Sequence, residues 1–164
     1  MISRHWGFKV YGDPKPKGSM KCVGARGKRK HVIVEDVDDG GWRDLVTAMA
    51  RKHVLEQAAE HQPVYVEITF SLARPASHYG TGRNARLVKA SAPLWPTVAG
   101  TGDTDKLARL VLDALQDAAV LRNDAQAVAV LASKAYTDPH PAMSWAELSD
   151  VLDRPGAVVR IRPR

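Results

Sequence analysis

The fold is decided by residues 103–133, which read DTDKLARLVLDALQDAAVLRNDAQAVAVLAS. Apolar residues recur every three or four positions through the first half of this stretch, which predicts an amphipathic helix from about Thr104 to Asp117. Its predicted apolar face comprises Leu107, Leu110, Val111, Ala114, Leu115 and Ala118. After an Asn123-Asp124 turn, residues 125–133 are small and apolar throughout, which predicts a strand covered on both faces.

Further strands and helices are predicted on either side of this stretch. Helical spacing indicates a helix from Trp42 to about His61, and a capping-box pattern at Ser144 opens a last short helix. Alternating or β-branched runs predict strands at residues 5–11, 31–34, 64–72 and 157–162. The second of these strands is expected to pair back on the first as a long-looped hairpin. The order of elements predicts an α+β fold, with a single layer of two main helices packed on a mixed, largely antiparallel sheet.

Length and composition restrict the class of protein. A chain of 164 residues has the usual size of one domain, so we expect a single domain over residues 1–164. No apolar run approaches the ~20 residues that a membrane span requires, and no signal pattern follows Met1. We therefore expect a soluble, cytoplasmic protein. Because Cys22 is the only cysteine, an internal disulfide and a cysteine zinc site are excluded, and any metal needs oxygen or histidine ligands.

The net charge of +6 is concentrated in two segments rich in glycine, proline or serine. We expect basic loops at about residues 13–30 and 74–101, and we expect them to be mobile until a partner binds. Such loops suit the phosphate backbone of DNA, although solvated surface loops have the same composition. The candidate DNA-binding residues are Lys15, Lys17, Lys21, Arg26, Lys28, Arg29, Lys30, Arg83, Arg86 and Lys89.

The candidate chemistry lies at the start of the predicted 104–117 helix. Asp105, Arg109 and Asp113 are spaced by four and share one helix face, and Asp103 lies just outside the first turn. Adjacent carboxylates repel each other, and a divalent cation such as Mg²⁺ offsets that repulsion. Ordinary helix capping and dipole complementation also explain Asp103 and Asp105.

Asp124 can return to the same place. A helix from Asp105 to Gln116 rises ~17 Å, whereas the residues from Asp117 to Asp124 can span up to ~26 Å when extended. The chain can therefore bring Asp124 beside Asp103, although an Asn-Asp pair is also common turn chemistry before a strand.

Other titratable clusters favour structural roles. Acidic residues at 35, 36, 38 and 39 precede the Trp42 helix, where capping and solvation explain them. The histidines show no paired metal-ligand spacing, so we interpret them as surface or core residues. Neither the serines nor Cys22 has a recognisable nucleophile context.

The chain resembles the RusA-like Holliday junction resolvases, a family of crossover junction endodeoxyribonucleases. The resemblance rests on Asp-x-Asp opening a helix that contains Leu-Asp-Ala-Leu, followed by Asp-Ala-Gln before a strand, and on a Gly/Pro/Lys segment. In this chain the matching segments are residues 102–115, 121–126 and 12–18.

The resemblance implies a homodimer that binds four-way DNA and nicks symmetry-related strands with Mg²⁺, for which Mn²⁺ can substitute. It also implies metal-binding roles for Asp103, Asp105 and Asp124, and many such proteins are encoded by phages or prophages. Two positions depart from the pattern. Asn123 stands where the family has the first acid of an Asp-Asp pair, and Arg109 stands where well-known members have a functional lysine, with Lys106 one turn earlier.

The leading hypothesis is a magnesium-dependent endonuclease that resolves Holliday junctions in recombination and repair. In it, Asp103, Asp105 and Asp124 hold the metal, and Arg109 or Lys106 stabilises negative charge at the phosphate. Two alternatives remain: a non-catalytic nucleic-acid-binding protein whose acids are caps, and a magnesium-dependent nuclease of flaps or other branched DNA.

Overall fold

The computed structural model describes residues 6–18, 20–22, 32–34, 39–54 and 56–164. Within these residues lie two α-helices, α1 (Trp42–His53) and α2 (Thr104–Asp117). The strands are β1 (Trp6–Tyr11), β2 (Met20–Cys22), β3 (Val32–Val34), β4 (Val64–Leu72), β5 (Ala127–Tyr136) and β6 (Gly156–Pro163). The predicted α+β class is confirmed, and none of the described helices is long and apolar enough to cross a membrane.

The main sheet is mixed and has four strands in the order β1-β6-β4-β5. β6 runs antiparallel to both β1 and β4, whereas β4 and β5 are parallel. Among the strands that the structure describes, β2 and β3 pair with each other and not with β1, so the predicted pairing of residues 31–34 with the first strand is wrong. β1 instead pairs along its whole length with β6, where Phe8 lies opposite Val159. A three-residue strand cannot offer β1 comparable hydrogen bonding or apolar contact.

One apolar core lies between this sheet and the two helices. In β4 the side chains of Val64, Val66, Ile68 and Phe70 are all buried, as the alternation predicts. Helix α2 has the predicted bounds and buries the predicted face, with only Ala118 at its end partly exposed. Because α2 turns its apolar side to the core, its opposite side is free to carry polar residues.

Helix α1 ends at His53, so the predicted end near His61 is wrong. The backbone turns to an extended conformation at Val54, and the following residues bond to the chain after α2 instead of continuing the helix. The Ala58 N–H donates to the Val120 carbonyl at 3.0 Å, which ties this segment to the chain just after α2. Tertiary hydrogen bonds therefore override a helical pattern that local spacing supports.

Strand β5 lies at the edge of the sheet, and most of its side chains are at least partly exposed, so the prediction that it is covered on both faces is wrong. Val128, Val130 and Leu131 are 56 %, 41 % and 68 % exposed. The strand has β4 on one side only, and its apolar composition does not distinguish an edge strand from a central one. Residues 125–133 carry no charge, which is unusual for an uncovered edge.

Candidate active site

A cavity of about 500 Å³ lies between α2 and β5. Its α2 wall is the polar face opposite the core, and its β5 wall is formed by Val130 and Ala132. The charged residues that line it are Lys17, Asp105, Arg109, Asp113 and Asp124. Acidic and basic side chains from three separate parts of the chain therefore line the same cavity.

Asp105 lies in the first turn of α2, and its side chain is exposed to the cavity. Its carboxylate makes no hydrogen bond or ion pair with any residue that the structure describes. The positive end of the helix dipole attracts negative charge at this position. Asp105 is thus a charged oxygen donor that the fold holds at the cavity and leaves available to a ligand.

Asp103 occupies the N-cap position of α2 but makes no side-chain capping bond. Its carboxylate instead forms an ion pair with the Lys106 Nζ at 2.9 Å. The hydrogen bond from Lys106 lowers the pKa of Asp103 below its usual range, and the same bond raises the pKa of Lys106. Asp105 and Asp124 both line the cavity, whereas Asp103 does not and lies at its rim, next to the lining residue Thr104.

A 3-10 turn at Asp124–Gln126 carries Asp124 into the cavity wall. The side chain of Asn123 caps this turn by accepting a hydrogen bond from the Ala125 N–H at 2.8 Å. The carboxylate of Asp124 makes no such bond within the described chain. The capping bond thus belongs to Asn123, and the Asp124 carboxylate is available to a ligand.

Gln126 is 9 % exposed, and its side-chain amide holds the same turn in place. Its Oε1 accepts hydrogen bonds from the backbone N–H groups of Arg122 and Asn123 at 2.7 and 3.3 Å. Its Nε2 donates to the carbonyls of Ala59 and Gln62 at 2.8 and 3.2 Å. A single buried amide therefore joins the start of β5 to the segment before β4, and Asp124 is positioned by this network.

Asp113 is a cavity residue that the sequence-based site did not include. Its carboxylate is 17 % exposed and accepts a hydrogen bond from the Lys17 Nζ at 2.6 Å. The Lys17 backbone N–H also donates to the Lys106 carbonyl at 3.1 Å, so the basic segment is fastened along α2. The spacing of four from Asp105 through Arg109 to Asp113 predicted the helix face of Asp113 correctly. Its partner, Lys17, lies 96 residues away in the sequence.

The start of α2 is braced from β5. The Lys134 Nζ donates to the Gly102 carbonyl at 2.8 Å and contacts the Thr101 Oγ1 at 3.3 Å. Lys134 was not among the predicted site residues, because the sequence of an apolar strand does not indicate which residues its one lysine contacts. Arg109, one turn inside α2, is exposed at the cavity and has no hydrogen-bonding or ion-pair partner among the described residues.

The donor atoms fit a hard divalent cation, although they do not form a closed site. Among the described residues, no three histidine, cysteine, aspartate or glutamate side chains lie close enough together to hold a metal. Asp105 and Asp124 offer carboxylate oxygens that no other side chain occupies, in a cavity with room for water. Mg²⁺ commonly binds through one or two carboxylates and keeps several waters for substrate phosphates, so this donor set is suitable for it.

The predicted DNA-binding lysines and arginines have different environments. Lys15 pairs with Asp13 at 2.5 Å, and Lys17 pairs with Asp113. Lys21 lies in β2. The described residues do not include Arg26, Lys28, Arg29 and Lys30. Arg83, Arg86 and Lys89 are all exposed. The second basic segment therefore presents its predicted cations to solvent.

Arg74, at the start of that segment, is 6 % exposed and serves the fold. Its Nε donates to the Asp138 carbonyl and its Nη1 to the Pro93 carbonyl, both at 2.8 Å. The guanidinium lies over the Tyr136 ring, 4.2 Å from the centroid. Arg74 thus gives residues 74–101 a buried support. The mobility expected of this segment stays a prediction.

Comparison with known proteins identifies the family. The family model described as endodeoxyribonuclease RusA matches residues 12–143, a range that contains the cavity and all three predicted metal-binding aspartates. No curated protein matches the chain. The family is one of nucleases that cut within DNA strands, and the model matches well over half of the sequence. The chain therefore belongs to the RusA endodeoxyribonuclease family.

Proposed function

We propose that this protein is a magnesium-dependent endonuclease that resolves four-way DNA junctions by paired nicking, in recombination and repair. The observation that carries the proposal is the cavity that Arg109 lines with Asp105 and Asp124, whose carboxylates have no partner among the described residues. Carboxylates repel DNA phosphates unless a cation lies between them, so these acids favour a metal-dependent enzyme over a protein that only binds DNA. The family membership supports the same activity.

In this proposal Asp105 and Asp124 hold Mg²⁺ from the two walls of the cavity, and Asp103 adds a carboxylate from the rim. When bound, the ion supplies Lewis-acid activation of water and of the scissile phosphate. The aspartates also orient the DNA strand, because they repel phosphates that approach without the ion between them. The role of each aspartate is thus to make phosphate binding at the cavity depend on the metal.

Arg109 acts as a fixed positive charge in this proposal. Its guanidinium stays protonated at neutral pH, so it stabilises negative charge on the phosphate without donating a proton. Lys106 is held by Asp103, and that contact keeps its ammonium protonated as well. Both side chains therefore contribute electrostatically where the resemblance pointed to a lysine.

A homodimer is part of the proposal, because resolving a junction requires two cuts. The exposed and uncharged edge of β5 supports it, since such an edge is normally covered in a soluble protein. Val130 and Ala132 belong both to this strand and to the cavity wall. A second copy seated along β5 would place the two cavities on either side of one interface.

The test compares wild type with Asp105→Asn on a synthetic four-way junction over a range of Mg²⁺ concentrations. We expect the wild type to nick only with Mg²⁺, and the variant to lose at least about a hundredfold in cutting rate while binding the junction equally well or more tightly. Asp44→Asn is the matched control, because Asp44 also occupies the first turn of a helix, α1, but does not line the cavity.

Binding without nicks at any Mg²⁺ concentration would contradict the enzyme proposal and favour a binding protein. Equal losses of binding and cutting in Asp105→Asn would give Asp105 a structural role. Faster cutting of a flap substrate than of the junction would show that flaps are the preferred DNA substrate.

A further inference from the structure

Residues 79–88 form a short projection, which we call the finger. Tyr79 and Val88 pair as an antiparallel bridge at its base. The Gly80 N–H donates to the Leu87 carbonyl, and the Lys89 N–H donates to the His78 carbonyl, both at 2.9 Å. A 3-10 turn at Gly82–Asn84 closes the tip. The backbone of the finger is therefore held by its own hydrogen bonds.

The base of the finger is attached to the sheet. The Tyr79 hydroxyl donates to the Asp138 carboxylate, and burial together with this bond raises the pKa of Tyr79 to about 12. The Lys89 Nζ donates to the Ser77 carbonyl at 2.9 Å. Arg74 donates a hydrogen bond to the Asp138 carbonyl and so helps to hold the base of the finger. These contacts make the finger a fixed feature of the surface.

The base of the finger and the start of α2 are attached at the same end of the sheet. Its supports follow the carboxyl ends of β4 and β5, which are joined there by the bond from the Thr137 N–H to the Leu72 carbonyl. Near the same end of β5, Lys134 braces Gly102, just before the aspartates at the start of α2. The base of the finger and the start of α2 are therefore both attached at this end of the sheet.

The surface of the finger combines positive charge with one exposed apolar side chain. Residues 73–102 contain no acid, and Arg83, Arg86 and Lys89 are exposed. Leu87 is 62 % exposed, although its neighbours in sequence are basic or occupy the bridge. Its backbone makes the hydrogen bonds of the finger, so its side chain is not required for them. A leucine so placed is suited to contact apolar surface within a negatively charged partner.

We infer that Leu87 is a wedge that inserts between bases beside the branch point, while Arg83, Arg86 and Lys89 contact the flanking phosphates. This inference rests on the proposed function, because it assigns the part of the protein that selects branched DNA. Apolar side chains inserted at base steps unstack them, and unstacking costs least where pairing is already interrupted. Branched DNA therefore accepts the wedge more readily than an intact duplex.

The experiment uses a metal-free four-way junction with 2-aminopurine beside the branch point, so that unstacking is read as increased fluorescence without cutting. We expect wild type to raise the fluorescence and Leu87→Ala to lose most of that rise, with junction affinity reduced about tenfold and duplex affinity unchanged. Leu87→Met, which keeps an apolar side chain of similar size, is expected to retain the rise. Leu94→Ala is the matched control, because Leu94 is an exposed leucine outside the finger.

A full fluorescence rise with Leu87→Ala would overturn the inference, as would equal losses of affinity for junction and duplex. The same samples, given Mg²⁺, separate this inference from the proposed function. Wild type that unstacks the junction but never cuts it would contradict the enzyme and leave the wedge supported. Wild type that cuts the junction without any fluorescence rise would contradict the wedge and leave the enzyme supported.

Discussion

The two ends of the candidate cavity are built from different kinds of contact. At the helix-start end, Asp103 pairs with Lys106, three residues away and largely in solvent. At the strand-start end, Lys17 reaches Asp113 across 96 residues, and Gln126 reaches Ala59 across 67. Exposed local pairs are weak and exchange easily with water, whereas bonds between segments far apart in sequence form only when the whole fold has formed. The position of Asp124 is thus a property of the fold, and that of the Asp103 side chain is a local equilibrium.

The largest expected effect distinguishes the aspartates at these two ends. Asp124→Asn removes an available carboxylate from the cavity, so we expect about a thousandfold slower junction cutting, equivalent to ~4 kcal/mol in the barrier. Asp103→Asn changes a carboxylate that lies at the rim and is already occupied by Lys106, so we expect only about a tenfold loss. Single-turnover cutting at saturating Mg²⁺ measures both.

Urea unfolding serves as the control for both variants, which are expected to stay within about 0.5 kcal/mol of wild type because each replaces an exposed side chain by one of equal shape. Equal losses of cutting would contradict the difference between the two ends and show that Asp103 enters the cavity as fully as Asp124.

The contrast also explains what could be predicted from the sequence. Helix α2 and strand β4 were predictable, because their apolar periods match the face that each buries. Asp105 was predictable as a cavity residue, since its place on the polar face of α2 follows from the same period. These features depend on neighbours within a few residues along the chain.

The remaining features depend on pairing that no local pattern encodes. β6 lies between β1 and β4 although it closes the chain, so the partner of β1 was predicted wrongly. The edge position of β5 follows from that order as well. Likewise, the Lys17–Asp113 contact exists only because the segment after β1 runs along α2. Each of these requires the sheet order, which the sequence pattern alone leaves open.

The second prediction breaks the network at the strand-start end. Gln126→Leu leaves the Arg122 N–H and the Ala59 carbonyl without their partner in a partly buried place, so we expect a loss of about 3 kcal/mol in the free energy of unfolding. Gln57→Leu is the control and should stay within about 0.5 kcal/mol, because Gln57 is an exposed residue of the loop after α1. Urea unfolding measures both. Similar midpoints for the two variants would show that the amide network does not fix the turn.

The smallest expected effect lies at the helix-start end, where Lys106→Met removes the partner of Asp103. The ammonium lowers the pKa of Asp103 chiefly by its hydrogen bond, so we expect this pKa to rise toward the usual carboxyl range in the variant, as followed by carboxyl carbon NMR. Because a depressed carboxyl pKa stabilises the folded state only above the unfolded pKa, any difference in stability should vanish as the pH falls through the pKa of folded Asp103. Both groups are exposed, so high salt should shrink the pKa difference further. A pKa of Asp103 that is the same in both proteins would show that the pair does not form in solution and that the Asp103 carboxylate is as available to a ligand as that of Asp105.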